Sequence, residues 1–160
     1  MATLYVHDGE TFHEAPAEVV IQRARALIAQ RFRPGAPVML QPECTRAFLS
    51  LNLATLEHEM FAVLFLDVRG CLIEYVELFR GTLNHVTHYP REVVKEALKR
   101  NAASVILAHC HPSGSLEPST LDQIATAKLK DALATVDVQV LDHLIVAGTR
   151  VMSMADEGLI

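Results

Sequence analysis

Apolar positions along the chain recur at two spacings, and the switches between them mark out the elements. From Ala17 to Phe32 the residues Val20, Ala24, Leu27, Ile28 and Arg31 follow helical spacing with charges between them. Arg33-Pro34-Gly35-Ala36-Pro37 interrupts this pattern as a turn-like linker. Val38 to Leu40 is expected to be a short strand. Pro42 to Leu56 reads as a helix with proline at its start. Phe61 to Leu66 is a continuous apolar run of strand length, and Asp67-Val68-Arg69-Gly70 is a turn. Cys71 to Phe79 then resumes as a strand, so the two runs predict an antiparallel hairpin. Pro90 to Arg100 is amphipathic, with Val93, Val94, Ala97 and Leu98 on one helical face. Ser104 to Ala108 is a short buried strand. His109 to Pro118, rich in Pro, Gly and Ser, reads as a loop. Ser119 starts a helix running to about Thr135, with Asp122 at its third position. Val138 to Val146 is a strand, Gly148 a turn and Arg150 to Met154 a last strand. Strands and helices mix without strict βαβ alternation, which predicts an α/β or α+β domain around one mixed sheet. Residues 1–37 are expected to be a helical extension with its linker, and 38–160 the domain.

Composition narrows this picture only at a few points. A chain of 160 residues suits one domain and can bury roughly 70% of its unfolded surface. With 51% hydrophobic and 21% charged residues it has a globular composition. No apolar run approaches the ~18 residues that span a bilayer. The first residues lack a basic start followed by an apolar stretch, so neither a membrane role nor a signal peptide is expected. The net charge of -5 argues against broad, sequence-independent binding to nucleic acid, which relies on many Lys and Arg contacts to phosphate. Cys44, Cys71 and Cys110 are odd in number and form no CxxC pair. A reducing cytoplasm is the simplest setting for them.

The candidate chemistry lies in HCHPSGSLEPSTLD. His109 and His111 stand at i and i+2, which in an extended strand end point to the same side. Asp122 follows eleven residues after His111, in the first turn of the next helix, and the Gly and Pro between them let the chain fold back. Two imidazoles and one carboxylate leave a fourth tetrahedral position open, as in catalytic rather than structural zinc sites. Zinc there would lower the pKa of a bound water to about 7. The same donor set also suits non-haem iron. A lone HxH is common without any metal, and Ser113, Ser119 and Asp122 also read as loop and helix-capping residues.

HxHPxGxxxPSxxD, filled at every fixed position from His109 to Asp122, resembles the JAMM motif of the JAB/MPN metalloprotease family. LFRGTLN (Leu78 to Asn84), YPREVVKEAL (Tyr89 to Leu98), HPSG (His111 to Gly114) and LDHLIVAG (Leu141 to Gly148) are similar to its bacterial RadC-type branch. The resemblance covers about residues 38 to 160. It implies a three-layer α/β/α, cytidine-deaminase-like fold with a central mixed sheet and one zinc per chain. It further implies His109, His111 and Asp122 as zinc ligands and Ser119 as a hydrogen-bond donor to an oxyanion. Ser119 is also the expected helix N-cap, and one hydroxyl proton cannot serve both tasks.

A general base must be a carboxylate outside the ligand set. Glu57, Glu59, Glu74 and Glu77 lie upstream, each with a solvated surface residue as the alternative. The resemblance favours Glu59, just before MFAVLFLD, with Glu57 next. His143 is either a support for the ligands or a partly buried histidine with its own partner. His85 and His88 are candidates to line the cleft, and Arg91 to contact substrate or form a salt bridge. Cys110 should face away from the two histidines and pack; the RadC pattern usually has Asn there.

These residues predict a zinc hydrolase acting on a peptide or isopeptide amide, with a peptide or protein as partner. The alternative is a binding module associated with DNA, because RadC-type proteins carry a DNA-repair name. Longer family members have a helix-hairpin-helix-like region that the first residues here do not resemble. A nucleoside deaminase would need HxE and PCxxC, and neither is present. A metal-binding scaffold without activity is the remaining reading, and a homodimer is an open expectation.

Overall fold

The computed structural model describes residues 4–7, 9–31, 34–35, 42–81 and 89–160. In chain order the elements are β1 (Tyr5–His7), β2 (Phe12–Glu14), α1 (Ala17–Arg31), α2 (Pro42–Leu53), β3 (Met60–Leu66), β4 (Leu72–Arg80), α3 (Pro90–Lys99), β5 (Ser104–Cys110), α4 (Thr120–Ala134), β6 (Gln139–Ala147) and β7 (Arg150–Ser153). The expected strand at Val38–Leu40, and the candidates His85 and His88, lie outside the described residues, as do the side chains of Ile28 and Arg31.

Five strands form one mixed sheet in the order β4-β3-β5-β6-β7. Only β5 and β6 run parallel, and α4 makes the crossover between them. Two of its three interior strands are apolar runs: Phe61 to Leu66 is fully buried, and every residue of β5 is buried. A strand covered on both faces cannot show polar alternation, which is why these segments read as unbroken apolar runs.

The pleat of β5 separates two cores. Ile106, Ala108 and Cys110 join Phe48, Leu49 and Leu53 of α2 on one face. Val105 and Leu107 join Val93 and Ala97 of α3 and Leu129 and Leu133 of α4 on the other. Helices thus cover both faces, giving the expected three-layer α/β/α arrangement. By the same alternation, His109 faces the α4 side and Cys110 the α2 side. The helix α1 lies beside α2, where the Arg25 guanidinium donates to the Leu51 carbonyl at 3.1 Å. Among the described residues no helix is long and apolar enough to cross a membrane.

Four expectations need correction. The strand β5 runs on through His109 and Cys110, which pair with Ile145 and Val146 of β6, so His109 belongs to the sheet and not to the loop. A histidine ends the apolar pattern without ending the ladder. Leu98 is 52% exposed, because the stripe that α3 buries is the i, i+4 pair Val93 and Ala97. Leu27, one of the residues at helical spacing in α1, is also exposed. The hairpin β1–β2 went unforeseen, since its short strands are almost wholly exposed and carry no burial pattern.

The turn joining β3 to β4 is held by Asp67, whose Oδ1 accepts from the Cys71 and Arg69 amides at 2.9 Å each. Gly70 supplies the left-handed residue at φ 73°.

Two outcomes follow from this packing. Leu107→Ala removes a fully buried side chain between β3, β6 and α4, and should cost about 2–5 kcal/mol in denaturant unfolding. The Cys71 amide, opposed by some burial and aided by Arg69, holds the Asp67 carboxyl below its ordinary 3.8. Its contribution to stability is therefore present above about 3.8 and lost as pH falls through the lower folded value. A carboxyl NMR titration should find Asp67 still ionised at pH 3.8, and Asp67→Asn should flatten the acid limb of the stability profile.

Candidate metal centre

The centre forms where β5 ends and α4 begins. His109 is the last inward residue of β5 on the α4 face, and it is fully buried. Beyond Cys110 the chain turns at once: the Gly114 amide donates to the His111 carbonyl at 3.0 Å, with Pro112 at the second turn position. Gly114 has φ +81°, a conformation that side-chain-bearing residues rarely adopt, which accounts for the glycine of the motif. Arg150 pins this turn to the sheet by donating to the Gly114 carbonyl at 2.9 Å.

The start of α4 then brings the carboxylate back. Ser119 and Asp122 form a reciprocal capping box: the Asp122 amide donates to Ser119 Oγ at 3.1 Å, and the Ser119 amide donates to Asp122 Oδ2 at 2.7 Å. The cap uses a lone pair of the Ser119 oxygen, not its proton. The conflict expected between capping and donation therefore does not arise. Ser119 is an exposed residue.

The three candidate ligands converge. His109 Nε2 lies 2.8 Å from His111 Nε2 and 3.3 Å from Asp122 Oδ1, and His111 Nε2 lies 3.5 Å from Asp122 Oδ2. Bonds of 2.0–2.1 Å in a tetrahedron would put ligand atoms about 3.3 Å apart, which the two imidazole–carboxylate distances match and the shorter imidazole–imidazole distance does not. The donor chemistry agrees. His111 Nδ1 is 2.9 Å from the Ser115 carbonyl, which can only accept. Nδ1 therefore carries the proton, and the neutral ring turns the Nε2 lone pair toward the carboxylate. Electron-rich atoms facing one another in a largely buried place need a cation between them.

The electrostatics carry the same message. Burial pushes the Asp122 carboxyl up, but its contacts with His109 and His111 outweigh it and hold the group well below the usual carboxylate range. His111 is raised, first by its contact with Asp122 and further by the charges of Asp122 and Glu59, against an opposing effect of burial. Without a metal the centre thus favours a proton. Among the described residues His109, His111 and Asp122 are the one group of His, Cys, Asp and Glu whose ligand atoms gather closely enough for an ion.

The upstream glutamates separate. Phe61 pairs with His109 across β3 and β5, and Glu59 lies just before β3, two residues from Phe61. Glu59 is half-buried, and its charge acts on both His111 and Cys110. Glu57 is exposed in the preceding turn. Glu74 accepts from Arg100 at 2.7 Å, and Glu77 accepts from the Tyr75 hydroxyl at 3.1 Å. Arg91 is exposed at the start of α3. Cys110 packs with Phe48 and Leu49 on the α2 face, its thiol 3.6 Å from the His58 carbonyl. Burial pushes that thiol up, and the charge of Glu59 adds to the effect.

Behind the centre lies a layer of polar groups of which the residue pattern marked only His143. His143 is fully buried, with Nε2 2.8 Å from His109 Nδ1 and Nδ1 2.6 Å from Thr126 Oγ1. Asp142 anchors this part of β6: it accepts from the His143 and Ala155 amides at 2.7 and 3.1 Å and from Ser153 Oγ at 2.6 Å. Thr126 was the missed residue. Its signal was present, because it stands four residues after Asp122 on the same face of α4. The Ser115 carbonyl left no signal in residue type at all.

The chain matches known proteins over most of its length. The profile of the RadC-like JAB domain matches residues 39–159. A UPF0758 protein of Methylibium petroleiphilum is 51% identical over 146 residues, 91% of this chain and 65% of its own length. UPF0758 proteins of a Janthinobacterium species and of Aromatoleum aromaticum are 50% and 51% identical over 90% and 91% of this chain, and 64% and 65% of their own lengths. The chain thus spans slightly less than two thirds of these curated relatives. On the strength of the profile match and of this identity, the chain belongs to the family of RadC-like JAB domains.

Proposed function

We propose that this chain is a zinc-dependent hydrolase that cleaves an amide bond, peptide or isopeptide, in a peptide or protein substrate. The observation that carries the reading is the convergence of His109 Nε2, His111 Nε2 and the Asp122 carboxylate at one point, with exposed Ser119 beside it. Three protein donors hold one zinc and leave a position for substrate or water. When bound, the ion supplies Lewis acidity and an acidified water.

The remaining work belongs to the chain. Glu59, whose charge acts on His111, takes a proton on its carboxylate from the attacking water and delivers it to the leaving amine nitrogen. Ser119 donates its free hydroxyl proton to the oxygen that gains charge as the carbonyl becomes tetrahedral. The Ser119 cap fixes that oxygen against the first turn of α4, so the donor is already in place when charge develops. His109 lies deep while Ser119 is exposed, so substrate approaches from the Ser119 side.

Metal analysis of the purified chain should find one equivalent of zinc, and Asp122→Ala should lose it. A parent protein that takes up no zinc from buffered solution would reject the reading. Glu59→Gln should keep the zinc and lose about 10²–10⁴-fold of the hydrolysis of a quenched-fluorescence peptide library. Equal rates in the two proteins would remove Glu59 as the base. Ser119→Ala should lower kcat about 10²–10³-fold and, through the lost cap, stability by about 1 kcal/mol. An unchanged kcat with the stability loss alone would leave Ser119 as a cap only.

A further inference from the structure

Proton counting behind the centre fixes the direction of a buried chain of hydrogen bonds. Thr126 Oγ1 lies 2.6 Å from the Asp122 carbonyl oxygen, one helical turn back. A carbonyl has no proton to give, so the single hydroxyl proton of Thr126 goes there. At its second contact, 2.6 Å from His143 Nδ1, Thr126 must therefore accept, and His143 Nδ1 carries a proton. Complete burial favours a neutral His143, which has only that one N–H. Its Nε2 is then a lone pair, and His109 Nδ1, 2.8 Å away, must donate to it. The outcome is set at the far end: with its proton on Nδ1, His109 turns the Nε2 lone pair toward His111 and Asp122.

We propose that Thr126 and His143 are positioning residues that lock His109 in the Nδ1–H tautomer, and that the hydroxyl of Thr126 gives the lock its direction. This rests on the reading of His109 as a metal ligand. His111 reaches the same tautomer in one step, through the Ser115 carbonyl. His109 reaches it in three. Its backbone lies within the sheet between β3 and β6, and the acceptor that ends the chain is the carbonyl of Asp122. One residue thus supplies the carboxylate to the centre through its side chain and sets the tautomer of a fellow ligand through its backbone. Thr126, His143 and His109 are 1%, 0% and 0% exposed, so water does not stand in for a lost partner.

The chain predicts an effect that packing alone does not. Thr126→Val keeps the shape and removes the acceptor. His143 then protonates at Nε2, His109 accepts at Nδ1, and the proton of His109 moves to the nitrogen that faces the ion. Thr126→Ser keeps the hydroxyl and should behave as the parent.

The test uses two measurements. Long-range ¹H–¹⁵N correlation on the metal-free, ¹⁵N-labelled full chain should show His109 as the Nδ1–H tautomer in the parent and in Thr126→Ser, and as Nε2–H in Thr126→Val. Zinc affinity, by competition with a chromophoric chelator, should fall about 10- to 100-fold in Thr126→Val and in His143→Phe, and Thr126→Ser should restore it. A parent His109 protonated at Nε2 would overturn the proposal without any variant. So would a Thr126→Val protein with parental tautomer and affinity, or a Thr126→Ser protein as weak as Thr126→Val. A parent that binds no zinc would reject the metal reading instead, and the tautomer of the metal-free parent would still decide the lock.

Discussion

A carboxylate almost excluded from water sits at the head of α4, and the surrounding structure is organised by what that carboxylate requires. Asp122 is 8% exposed, and an ionised group so placed is costly unless it is hydrogen-bonded and paired. Its Oδ2 accepts from the Ser119 amide, both oxygens face imidazole nitrogens, and the first turn of α4 directs its positive end toward the charge. The capping box that starts the helix is thus also the device that aims the carboxylate. Helix, cap and centre cannot be altered independently.

The sheet meets this requirement through alternation. Because β5 is covered on both faces, each of its residues must suit a different core, and the pleat assigns them in turn. His109 falls on the α4 face, where Val105 and Leu107 have already built an apolar floor against Leu129 and Leu133. Cys110 falls on the opposite face, beside α2. A slip of one residue in the β3–β5 ladder would exchange these roles. The long buried β3–β5–β6 ladder, rather than any contact in the centre, holds the register to the accuracy the centre needs.

Much of this was legible because the physics that fixes the fold also leaves marks in residue type. Phe61 to Leu66 and Ser104 to Ala108 declared themselves as buried strands by having no polar phase. Ser119 and Asp122 declared a helix start by their spacing, and His109 and His111 shared a side because strands repeat every two residues. One mixed sheet and the gathering of His109, His111 and Asp122 could be anticipated from that much, and the three layers came from the family resemblance. What escaped has equally physical causes. The extension of β5 through Cys110 was hidden because polar residues stop an apolar pattern without stopping a ladder. Leu98 was misplaced because α3 buries a stripe narrower than its apolar face. The Ser115 and Asp122 carbonyls, which orient the rings, belong to the backbone and have no letter in the sequence. Thr126 was overlooked because a threonine in a helix gives no sign of which group its hydroxyl serves until distances are known.

Those silent groups change how the motif itself should be understood. The spaced His, His, Ser and Asp name the atoms that face the centre, but not the protonation pattern that makes them ligands. The pattern is imposed from behind, by a carbonyl in the turn at Ser115 and by the line from Asp122 through Thr126 to His143. A chain could keep every fixed position of the motif and still present a protonated Nε2 if that line were cut. Conversely, every group so far placed at the centre or behind it, from Glu59 to Ser153, lies within the residues that the RadC-like JAB domain profile matches. The support travels with the domain.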